Sequence, residues 1–575
     1  MSEFWYIGDF KPRYFDFDRY AKVLDDIRVG RLVDIVHTFG GGKSFIGINT
    51  SIHFIDDGTY AIIAVPTVAL EEQYVKIIES IRDSEGIPIH VVHLRGRRHF
   101  ICPRRGIRAD KVPARECREC PKKVRWGREA RKSGSKPDFE YYALGTREVE
   151  IVAIPRDPCP YYDQYARIYE VLMSNSRLIV ITNYSKLVYD ILLRRLPRPR
   201  IVIFDESDYA ILKSTSIDIS ESEILTFISR CRAIAKAVAE ESDEELISLV
   251  DACKNQCKAI RKLIVEKKTD EVRDFAYDLL VNLYQIARKV FDYVVREDDP
   301  LMEFVTNVLF FTPHMVDYIT VYYESDDIVF SYAKSQAYML NMIVRDVPTL
   351  GMTATPLPQD WCSCLLPDYV RYEFRKKMLG KAEIVTDDAY LLKRRVTYRW
   401  LNPGKGVDIT AVRKRWRIYC QKLKLILDTC EKPALVYAYP WYIIKKCCSM
   451  SEVDMKHYEM YFDRDGTLLK RFVETEGKEP PIIITARAHR GLNLDFVKSI
   501  VFLKFPMPKI FSAVIQMLAR KFRSDAVSVA HDFGKINMIQ TIARAIRSEG
   551  RVVKVYTPDP YAVQVFRELA REYFE

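Results

Sequence analysis

The sequence predicts an α/β fold, in which helices alternate with parallel strands around a nucleotide-binding loop. A short apolar strand at residues 33–36 runs into the loop HTFGGGKSF, after which Phe45, Ile48 and Ile52 continue at helical spacing. A second apolar strand, residues 201–204, ends in two carboxylates. Strands that present functional groups at their carboxyl ends are typical of open parallel sheets.

Length and composition indicate a multidomain protein with a polyanionic partner. A chain of 575 residues is expected to form three or four domains. Residues 95–136 contain 16 Lys or Arg and 4 Asp or Glu, whereas the whole chain has a net charge of only +11. Because the basic excess is confined to one segment, nucleic acid is favoured over a solvated charged face. No apolar run reaches the length of a membrane span and the N-terminus shows no export signal, so a cytoplasmic, nucleoid-associated location is expected.

The glycine-rich loop has the composition of a phosphate-binding site. Gly40, Gly41 and Gly42 allow backbone N–H groups to turn toward phosphate oxygens. Lys43 is predicted to reach the outer phosphates, and the Ser44 hydroxyl to coordinate Mg²⁺. The alternative, a glycine turn beside an exposed lysine, fits the strand-to-helix context less well. ATP and Mg²⁺ are therefore the expected ligands.

The carboxylates after the second strand complete a hydrolytic pattern. Asp205 is predicted to hold Mg²⁺ through its water shell, and Glu206 to orient and deprotonate the attacking water. An acidic turn at the end of any strand is the alternative interpretation. The combination with a glycine loop favours hydrolysis of a nucleoside triphosphate.

A basic helix in the C-terminal third is predicted to act on the same nucleotide. Gln516, Arg520 and Arg523 in QMLARKFR share one helical face. Arginines on that face would stabilise charge in the transition state, although a solvated basic helix has the same spacing. Upstream, Gly491 and Asp495 in TARAHRGLNLD resemble a loop that couples the nucleotide to a second lobe.

Four cysteines between the glycine loop and the acidic pair are candidate metal ligands. They have the spacing C-x14-C-x2-C-x38-C and are Cys102, Cys117, Cys120 and Cys159. The spacing alone leaves an iron–sulfur cluster and zinc open, because structural zinc normally shows two close pairs. The other nine cysteines are predicted to be buried thiols. Candidate DNA contacts near the four are basic or aromatic, for phosphates and bases respectively: Arg95, Arg97, Arg98, Arg104, Tyr161 and Tyr162.

Taken together, the motifs HTFGGGKS, FDESD, GMTATP, RGLNLD and QMLARKFR stand in the order and approximate spacing of superfamily 2 helicases. The four cysteines, with LRGRRHFIC leading to the first and CPYY at the last, make the chain resemble the XPD and DinG iron–sulfur helicases. This resemblance implies two RecA-like motor domains, with an iron–sulfur insert and a helical Arch-type insert in the first. It also implies a [4Fe–4S] cluster, with zinc as the alternative, and 5′ to 3′ movement on single-stranded DNA.

Domain boundaries follow from the resemblance and from helical periodicity between residues 217 and 346. The predicted segments are the first motor domain with its phosphate loop (1–93), the iron–sulfur insert (94–165), the DESD part of the first motor domain (166–215), the helical insert (216–345), the TAT end of the first motor domain (346–358) and the second motor domain (359–575).

The chain departs from the pattern of these helicases at three places. Asp208 replaces a usual His, Ala519 replaces a usual Gly, and no adenine-binding Gln stands near residues 13–20. The predicted function is ATP-dependent unwinding of forked DNA by a monomer that works with repair or replication proteins. A DNA-stimulated ATPase or translocase with weak or no unwinding is the first alternative, and a redox-responsive DNA-binding module is the second. A small-molecule P-loop kinase would leave the arginine helix and the TAT motif without a role.

Overall fold

The computed structural model describes most of the chain and divides it into two compact units. The first unit comprises Met1–Ile211, Tyr338–Met507 and Asp532–Glu575, and the second comprises Leu212–Ala337 and Pro508–His531. The structure describes residues 5–574 except 9, 113–115, 118–119, 134–135, 213, 239–243, 267, 291–303, 306–307, 310–312, 314–315, 325–326, 336, 367, 402–407, 439–441, 464–466 and 487–492.

The strands are short and are numbered in chain order. They are β1 (Leu32–His37), β2 (Tyr60–Val65), β3 (Ile89–Leu94), β4 (Arg125–Trp126), β5 (Phe139–Tyr142), β6 (Val149–Ala153), β7 (Arg177–Asn183), β8 (Ile201–Asp205), β9 (Ser214–Ser220), β10 (Tyr318–Glu324), β11 (Asp327–Ser335), β12 (Thr349–Thr353), β13 (Tyr369–Arg375), β14 (Lys381–Ile384), β15 (Ala434–Tyr437), β16 (Met460–Phe462), β17 (Ile482–Thr485), β18 (Ser499–Phe502) and β19 (Val552–Tyr556).

The helices alternate with these strands over much of the chain. They are α1 (Phe17–Asp26), α2 (Lys43–Phe54), α3 (Val68–Glu85), α4 (Gly127–Lys132), α5 (Pro160–Met173), α6 (Tyr184–Leu192), α7 (Ser207–Leu212), α8 (Glu221–Val238), α9 (Glu244–Val265), α10 (Thr269–Val290), α11 (Ala337–Asp346), α12 (Gln359–Leu365), α13 (Tyr398–Leu401), α14 (Ile409–Thr429), α15 (Tyr442–Ser449), α16 (Thr467–Glu474), α17 (Ala513–Phe522), α18 (Ala526–Ala543) and α19 (Pro560–Tyr573). Within the described residues, no helix combines the length and the apolar character needed to span a membrane.

A seven-stranded parallel sheet organises the first part of the first unit. Its strand order is β13-β1-β12-β8-β2-β7-β3. All residues of β1, β2 and β8 are buried, which explains their nearly continuous apolar sequences, since parallel sheets are covered on both faces. Because β12 lies between β1 and β8, the ends of these three strands bring the glycine loop, the TAT motif and the DESD box to one edge.

A second parallel sheet in the same unit has the order β14-β19-β18-β15-β17-β16. The prediction of an α/β fold built on two parallel sheets is therefore confirmed. One side of this sheet is covered by α14 and α15, which are joined by a disulfide between Cys420 and Cys447. The prediction that both residues are free thiols is wrong, because their Cα atoms lie 5.3 Å apart, within the range for a disulfide.

The cysteine-rich segment forms a small layer of its own between β3 and α5. Its antiparallel sheet has the order β4-β6-β5, and α4 packs on β6. Ala130, Ile151 and Ala153 form one buried apolar cluster here, and Val124 and Trp126 are buried as well.

The second unit combines helices with a three-stranded antiparallel sheet. Helices α8, α9 and α10 pack together, as the helical periodicity predicts, and the sheet has the order β10-β11-β9. Strand β10 is rich in aromatic and β-branched residues, which favour strands. Helix α17, in the predicted second motor domain, belongs to this unit and packs on β10 and β11.

Candidate nucleotide-binding site

The glycine loop between β1 and α2 has a backbone that larger residues would disturb. Gly40 and Gly42 have φ values of 71° and 95°, in the left-handed region. A Cβ at Gly41 would lie 2.8 Å from His37 Nε2. Helix α2 begins at Lys43, directly after this turn. A helix N-terminus that follows such a loop presents backbone N–H groups to an anion.

Lys43 is held at the loop by backbone oxygens and by burial. Its Nζ donates hydrogen bonds to the carbonyl oxygens of His37 (3.1 Å) and Thr38 (3.3 Å). Burial lowers the pKa of Lys43 to about 8, while the nearby Asp205 and Glu206 oppose that shift. The ammonium therefore faces the predicted acidic pair across a small, polar cleft.

The two carboxylates lie where β8 ends. Asp205 is the last residue of the strand, and Glu206 follows with a positive φ of 60°, an uncommon value for a residue other than glycine. Burial, and then the charge of Glu206, raise the pKa of Asp205 to about 6, and Lys43 lowers it. Carboxylates crowded at a cleft beside a lysine and a serine-bearing helix are suited to a divalent cation with phosphate oxygens.

Residues near the C-terminal end of α18 contact the DESD box. Gln540 Nε2 donates to the carboxylate of Asp208 (3.0 Å) and to the hydroxyl oxygen of Thr355 (2.8 Å). The hydroxyl of Thr353 donates to the same carboxylate at 2.9 Å. Arg544 forms a buried ion pair with Glu206. Side chains from the segment between β18 and β19 of the second sheet thus reach the carboxylates at the edge of the first.

Arg547 lies beside the same loop. Burial and the charge of Arg544 lower its pKa to about 9. A Cβ at Gly40 would lie 2.5 Å from the carbonyl oxygen of Arg547, so the two backbones are in close contact. Asp495 accepts hydrogen bonds from the Arg547 backbone N–H and the Ser548 hydroxyl, both at 2.9 Å, and so fixes this turn. Gly491, predicted to act with Asp495, lies outside the described residues.

The predicted arginine helix is placed elsewhere. Gln516 and Arg520 belong to α17 and Arg523 is its left-handed C-cap, so all three lie in the second unit. Gln516 Nε2 donates to the carbonyl oxygen of Ile510 at 2.9 Å, and both arginines are exposed. The hydrogen bonds and ion pair at the DESD box come instead from QTIARAIR, residues 540–547, which repeats the spacing of QMLARKFR.

One sequence signal separates the two copies of this pattern. Residues 538–546 are mostly apolar, and all of them are buried. In QMLARKFR, by contrast, three of the last four residues are basic, as expected of a helix with one solvated face.

The four predicted cysteine ligands line one cavity. Its wall also contains basic and aromatic side chains, including Arg97, Arg104, Arg105, Tyr161 and Tyr162. All four cysteines are free thiols of intermediate exposure. In the part of the chain that the structure describes, no three His, Cys, Asp or Glu side chains are grouped closely enough to hold a metal ion. The four thiols that line the cavity are suitable donors for a metal or cluster, but among the described residues they are not grouped as its ligands.

Cys159 lies at the first turn of α5, where burial and backbone N–H groups shift the pKa of its thiol in opposite directions and burial has the larger effect. Cys159 is the N-cap of this helix, and Pro160 follows it. Burial raises the pKa of the Cys159 thiol, whereas the backbone N–H groups of Tyr162 and Tyr161 lower it. The hydroxyl of Tyr162 lies 3.5 Å from Cys117 Sγ. Backbone donors directed at a sulfur are a feature of sites that hold thiolates.

The candidate DNA contacts divide into exposed and buried groups. Arg98 and Arg104 are exposed. Arg95 is half-buried, with an ion pair to Glu72 (3.1 Å), and Arg97 is turned toward the Val112 carbonyl oxygen (3.4 Å). The predicted stacking partners, Tyr161 and Tyr162, are 3% and 4% exposed. Buried rings offer no face to a base, so the prediction that these two tyrosines stack on DNA is not supported by their position.

The glycine loop and paired carboxylates at the edge of one parallel sheet, with arginines from the segment between β18 and β19 of a second parallel sheet, define a RecA-like fold built on two parallel sheets. No family model matches the sequence, and no curated protein matches it. Three solved structures are similar along nearly the whole chain. A structure described as an XPD helicase aligns with a TM-score of 0.59 and 14% identity, over 96% of this chain and 97% of that one. An apo XPD structure aligns with a TM-score of 0.54 and 12% identity over the same shares, and Xpd4 of S. tokodaii aligns with a TM-score of 0.50 and 12% identity over 97% and 98%. The chain therefore has the fold of XPD helicases, and the predicted resemblance is confirmed at the level of the fold.

Proposed function

We propose that this protein is an ATP-dependent DNA helicase of the XPD type, which moves on single-stranded DNA and opens forked duplexes. The observation that carries the proposal is the buried ion pair between Arg544 and Glu206. It joins Glu206, the predicted water-activating carboxylate, to Arg544, which lies between β18 and β19 of the second sheet. A nucleotide bound between Glu206 and Arg544 would change the contact between the two sheets. A motor requires such a contact that depends on the bound nucleotide.

In the proposed reaction, the residues of the first sheet bind the nucleotide and activate water. The backbone of the glycine loop and Lys43 hold the phosphates, while Ser44 and Asp205 hold the accompanying Mg²⁺. Glu206 orients the attacking water and accepts its proton. In the structure Glu206 is paired with Arg544, so a bound γ-phosphate would compete for that arginine and release the carboxylate.

Arg544 and Arg547 take the roles first predicted for Arg520 and Arg523. Both lie at the loop and the acidic pair, and the low pKa of Arg547 reflects a buried cation that an anionic ligand would stabilise. Arginines placed at a transferring phosphoryl group stabilise the charge of the transition state. Gln540 takes the place of Gln516 and contacts the DESD box directly.

Asp208 would transmit the nucleotide state despite the departure from the usual His. Its carboxylate accepts hydrogen bonds from Thr353 of the TAT motif and from Gln540. A single buried acceptor that serves two elements responds to movement of either one. The Asp208 carboxylate thus connects Thr353 and Gln540 as an imidazole would. It accepts both hydrogen bonds, whereas an imidazole would donate one of them.

The four cysteines would hold a [4Fe–4S] cluster, with zinc as the alternative. The shared cavity and the backbone N–H groups at Cys159 support a thiolate-bound group. When bound, such a group would supply a rigid cross-link between the four chain positions of these cysteines. Exposed arginines beside it, Arg98 and Arg104, would then meet DNA phosphates at a fixed position.

A DNA-stimulated ATPase or translocase without strand separation is the second candidate. It is favoured by Asp208, which stands where these helicases usually have His. Both candidates share the same ATP site. Only strand separation distinguishes them.

The test is ATP hydrolysis and fork unwinding by anaerobically purified protein whose iron, sulfide and zinc contents are measured. We expect hydrolysis that single-stranded DNA stimulates and that Lys43→Ala abolishes. Cys102→Ser is expected to lose iron and unwinding while it retains hydrolysis. Robust hydrolysis without unwinding by the wild type would favour the translocase, and absence of hydrolysis would contradict both candidates.

A further inference from the structure

A strained, exposed tyrosine lies at the rim of the phosphate loop. Tyr14 has a φ of 53°, in the left-handed region that aromatic residues rarely adopt, and 49% of its surface is exposed. Residues that retain such a strained conformation cluster at ligand sites. No apolar core explains the position of a ring that is half exposed to solvent.

The backbone next to Tyr14 is fixed to the loop. The Arg13 backbone N–H donates to the Gly41 carbonyl oxygen at 2.9 Å. His37 Nε2 lies 3.0 Å from the carbonyl oxygens of both Arg13 and Gly41 and bridges them. Pro12 lies against Gly42, where a Cβ would come within 2.8 Å of the proline Cα. The ring of Tyr14 therefore has a set position relative to the site of the phosphates.

Two charged residues hold the ring, and each is tied to the same loop. The Arg375 guanidinium lies 3.8 Å from the ring centroid, and Arg375 pairs with His37 in the register of β1 and β13. The Tyr14 hydroxyl donates a hydrogen bond to Glu549. Glu549 stands two residues beyond Arg547, whose backbone contacts Gly40. The three side chains form a platform, Tyr14–Arg375–Glu549, beside the phosphate site.

The segment that approaches the loop carries no side chain able to recognise one particular base. Adenine is distinguished by a paired donor and acceptor on its edge, which Asn or Gln can match. Residues 11–20, all of which the structure describes, include neither residue type. The Asp16 carboxylate is occupied as the N-cap of α1, accepting from the Arg19 backbone N–H at 3.0 Å. Rings and cations remain, and these favour stacking on any base.

We propose that the exposed face of Tyr14, backed by Arg375, is the stacking surface for the base of the bound nucleotide, and that the site accepts purine and pyrimidine nucleoside triphosphates alike. The proposal rests on the proposed function, since it names the substrate class of that same site. Stacking is tolerant of base identity because every base has a π-face. The triphosphate, held by the loop, then supplies the part of the affinity that all substrates share.

The experiment measures kcat and KM for ATP, GTP, CTP and UTP with single-stranded DNA present, and Ki for inorganic tripolyphosphate. For the wild type, we expect kcat/KM values that agree within about tenfold, because stacking alone discriminates weakly. Tyr14→Ala should raise KM for all four substrates by about tenfold, with the loss in KM rather than kcat. Its Ki for tripolyphosphate, which has no base, should stay at the wild-type value. Tyr14→Phe should restore KM.

Tyr461→Ala is the matched control, because it removes an exposed tyrosine ring on β16, the edge strand of the second sheet, and leaves the platform intact. Its KM values should match those of the wild type. A preference above about a hundredfold for ATP would overturn the inference and leave the proposed function intact. A rise in the Ki of tripolyphosphate equal to the rise in KM, or a Tyr461→Ala variant that behaves as Tyr14→Ala, would show that the ring of Tyr14 does not bind the base. Failure to hydrolyse any triphosphate would overturn the proposed function and, with it, this inference.

Discussion

Single side chains at the phosphate loop are held in a defined protonation state by their surroundings. His37 is fully buried at the end of β1, and burial together with the charge of Lys43 lowers its pKa to about 4. Its Nε2 bridges two carbonyl oxygens, so the neutral ring with a proton on Nε2 is the form that fits. Protonation of the other nitrogen would place a second charge in a cleft that already holds Lys43.

The low pKa of His37 predicts a loss of stability in acid. The unfolded chain takes up this proton near pH 6.5 and the folded chain only near pH 4, so the contribution is complete above pH 6.5 and is lost as pH falls toward 4. The loss should reach about 3 kcal/mol. His37→Gln keeps an amide donor without the titration, so its unfolding free energy should fall less over this range. If the unfolding free energies of the two proteins fell by the same amount between pH 7 and 4.5, this assignment would be contradicted.

Replacing Asp208 is predicted to impair DNA unwinding more than ATP hydrolysis. Asp208→Ala removes the acceptor shared by Thr353 and Gln540 and leaves two buried donors unpaired, at roughly 1 to 3 kcal/mol each. We expect ATP hydrolysis within about tenfold of the wild type and a much larger loss of unwinding, measured as ATP consumed per base pair opened. Asp360→Ala, at an exposed carboxylate on α12, serves as the control. An unchanged ratio would show that Asp208 does not couple the two activities.

Elements whose burial is visible as an apolar sequence could be predicted. Features that depend on contacts between residues distant in the sequence could not. The strands before the loop and before Asp205 read as apolar runs, because a parallel sheet buries both of their faces. The arginine helix could not be chosen by spacing, since residues 516–523 and 540–547 repeat one pattern. The partner of Cys420 also depends on tertiary packing, because its bonded residue lies 27 positions away on another helix.

The disulfide between α14 and α15 predicts a stability that depends on reductant. Cross-linking two residues 27 positions apart should contribute about 3 kcal/mol by restricting the unfolded chain. Replacing Cys420 and Cys447 by Ala should lower the denaturant midpoint, and reducing the wild type should lower it to a similar value. Cys430→Ala, at a buried free thiol next to α14, should keep its response to reductant. A wild type insensitive to reductant would contradict the cross-link.

At the scale of the whole molecule, the positive charge is concentrated in one segment. Residues 95–136 carry the basic excess, and Arg98 and Arg104 are exposed there. Affinity for single-stranded DNA should therefore fall with salt, and replacing both arginines by Ser should reduce the slope of log K against log salt by about 1.4. Replacing the exposed Arg413 and Lys414 of α14 should leave the slope unchanged. Equal effects of the two double variants would show that DNA contacts are spread over the surface.

The central claim is that arginines between β18 and β19 of the second sheet complete an ATP site on the first. Arg544→Ala and Arg520→Ala test it most directly, because the two arginines stand at the same position of the repeated pattern and only Arg544 is paired with Glu206. The measurement is kcat for DNA-stimulated ATP hydrolysis, with thermal unfolding to verify the fold. We predict a fall of about a thousandfold or more for Arg544→Ala and a change within about threefold for Arg520→Ala. Loss of hydrolysis in Arg520→Ala with activity retained in Arg544→Ala would contradict the account.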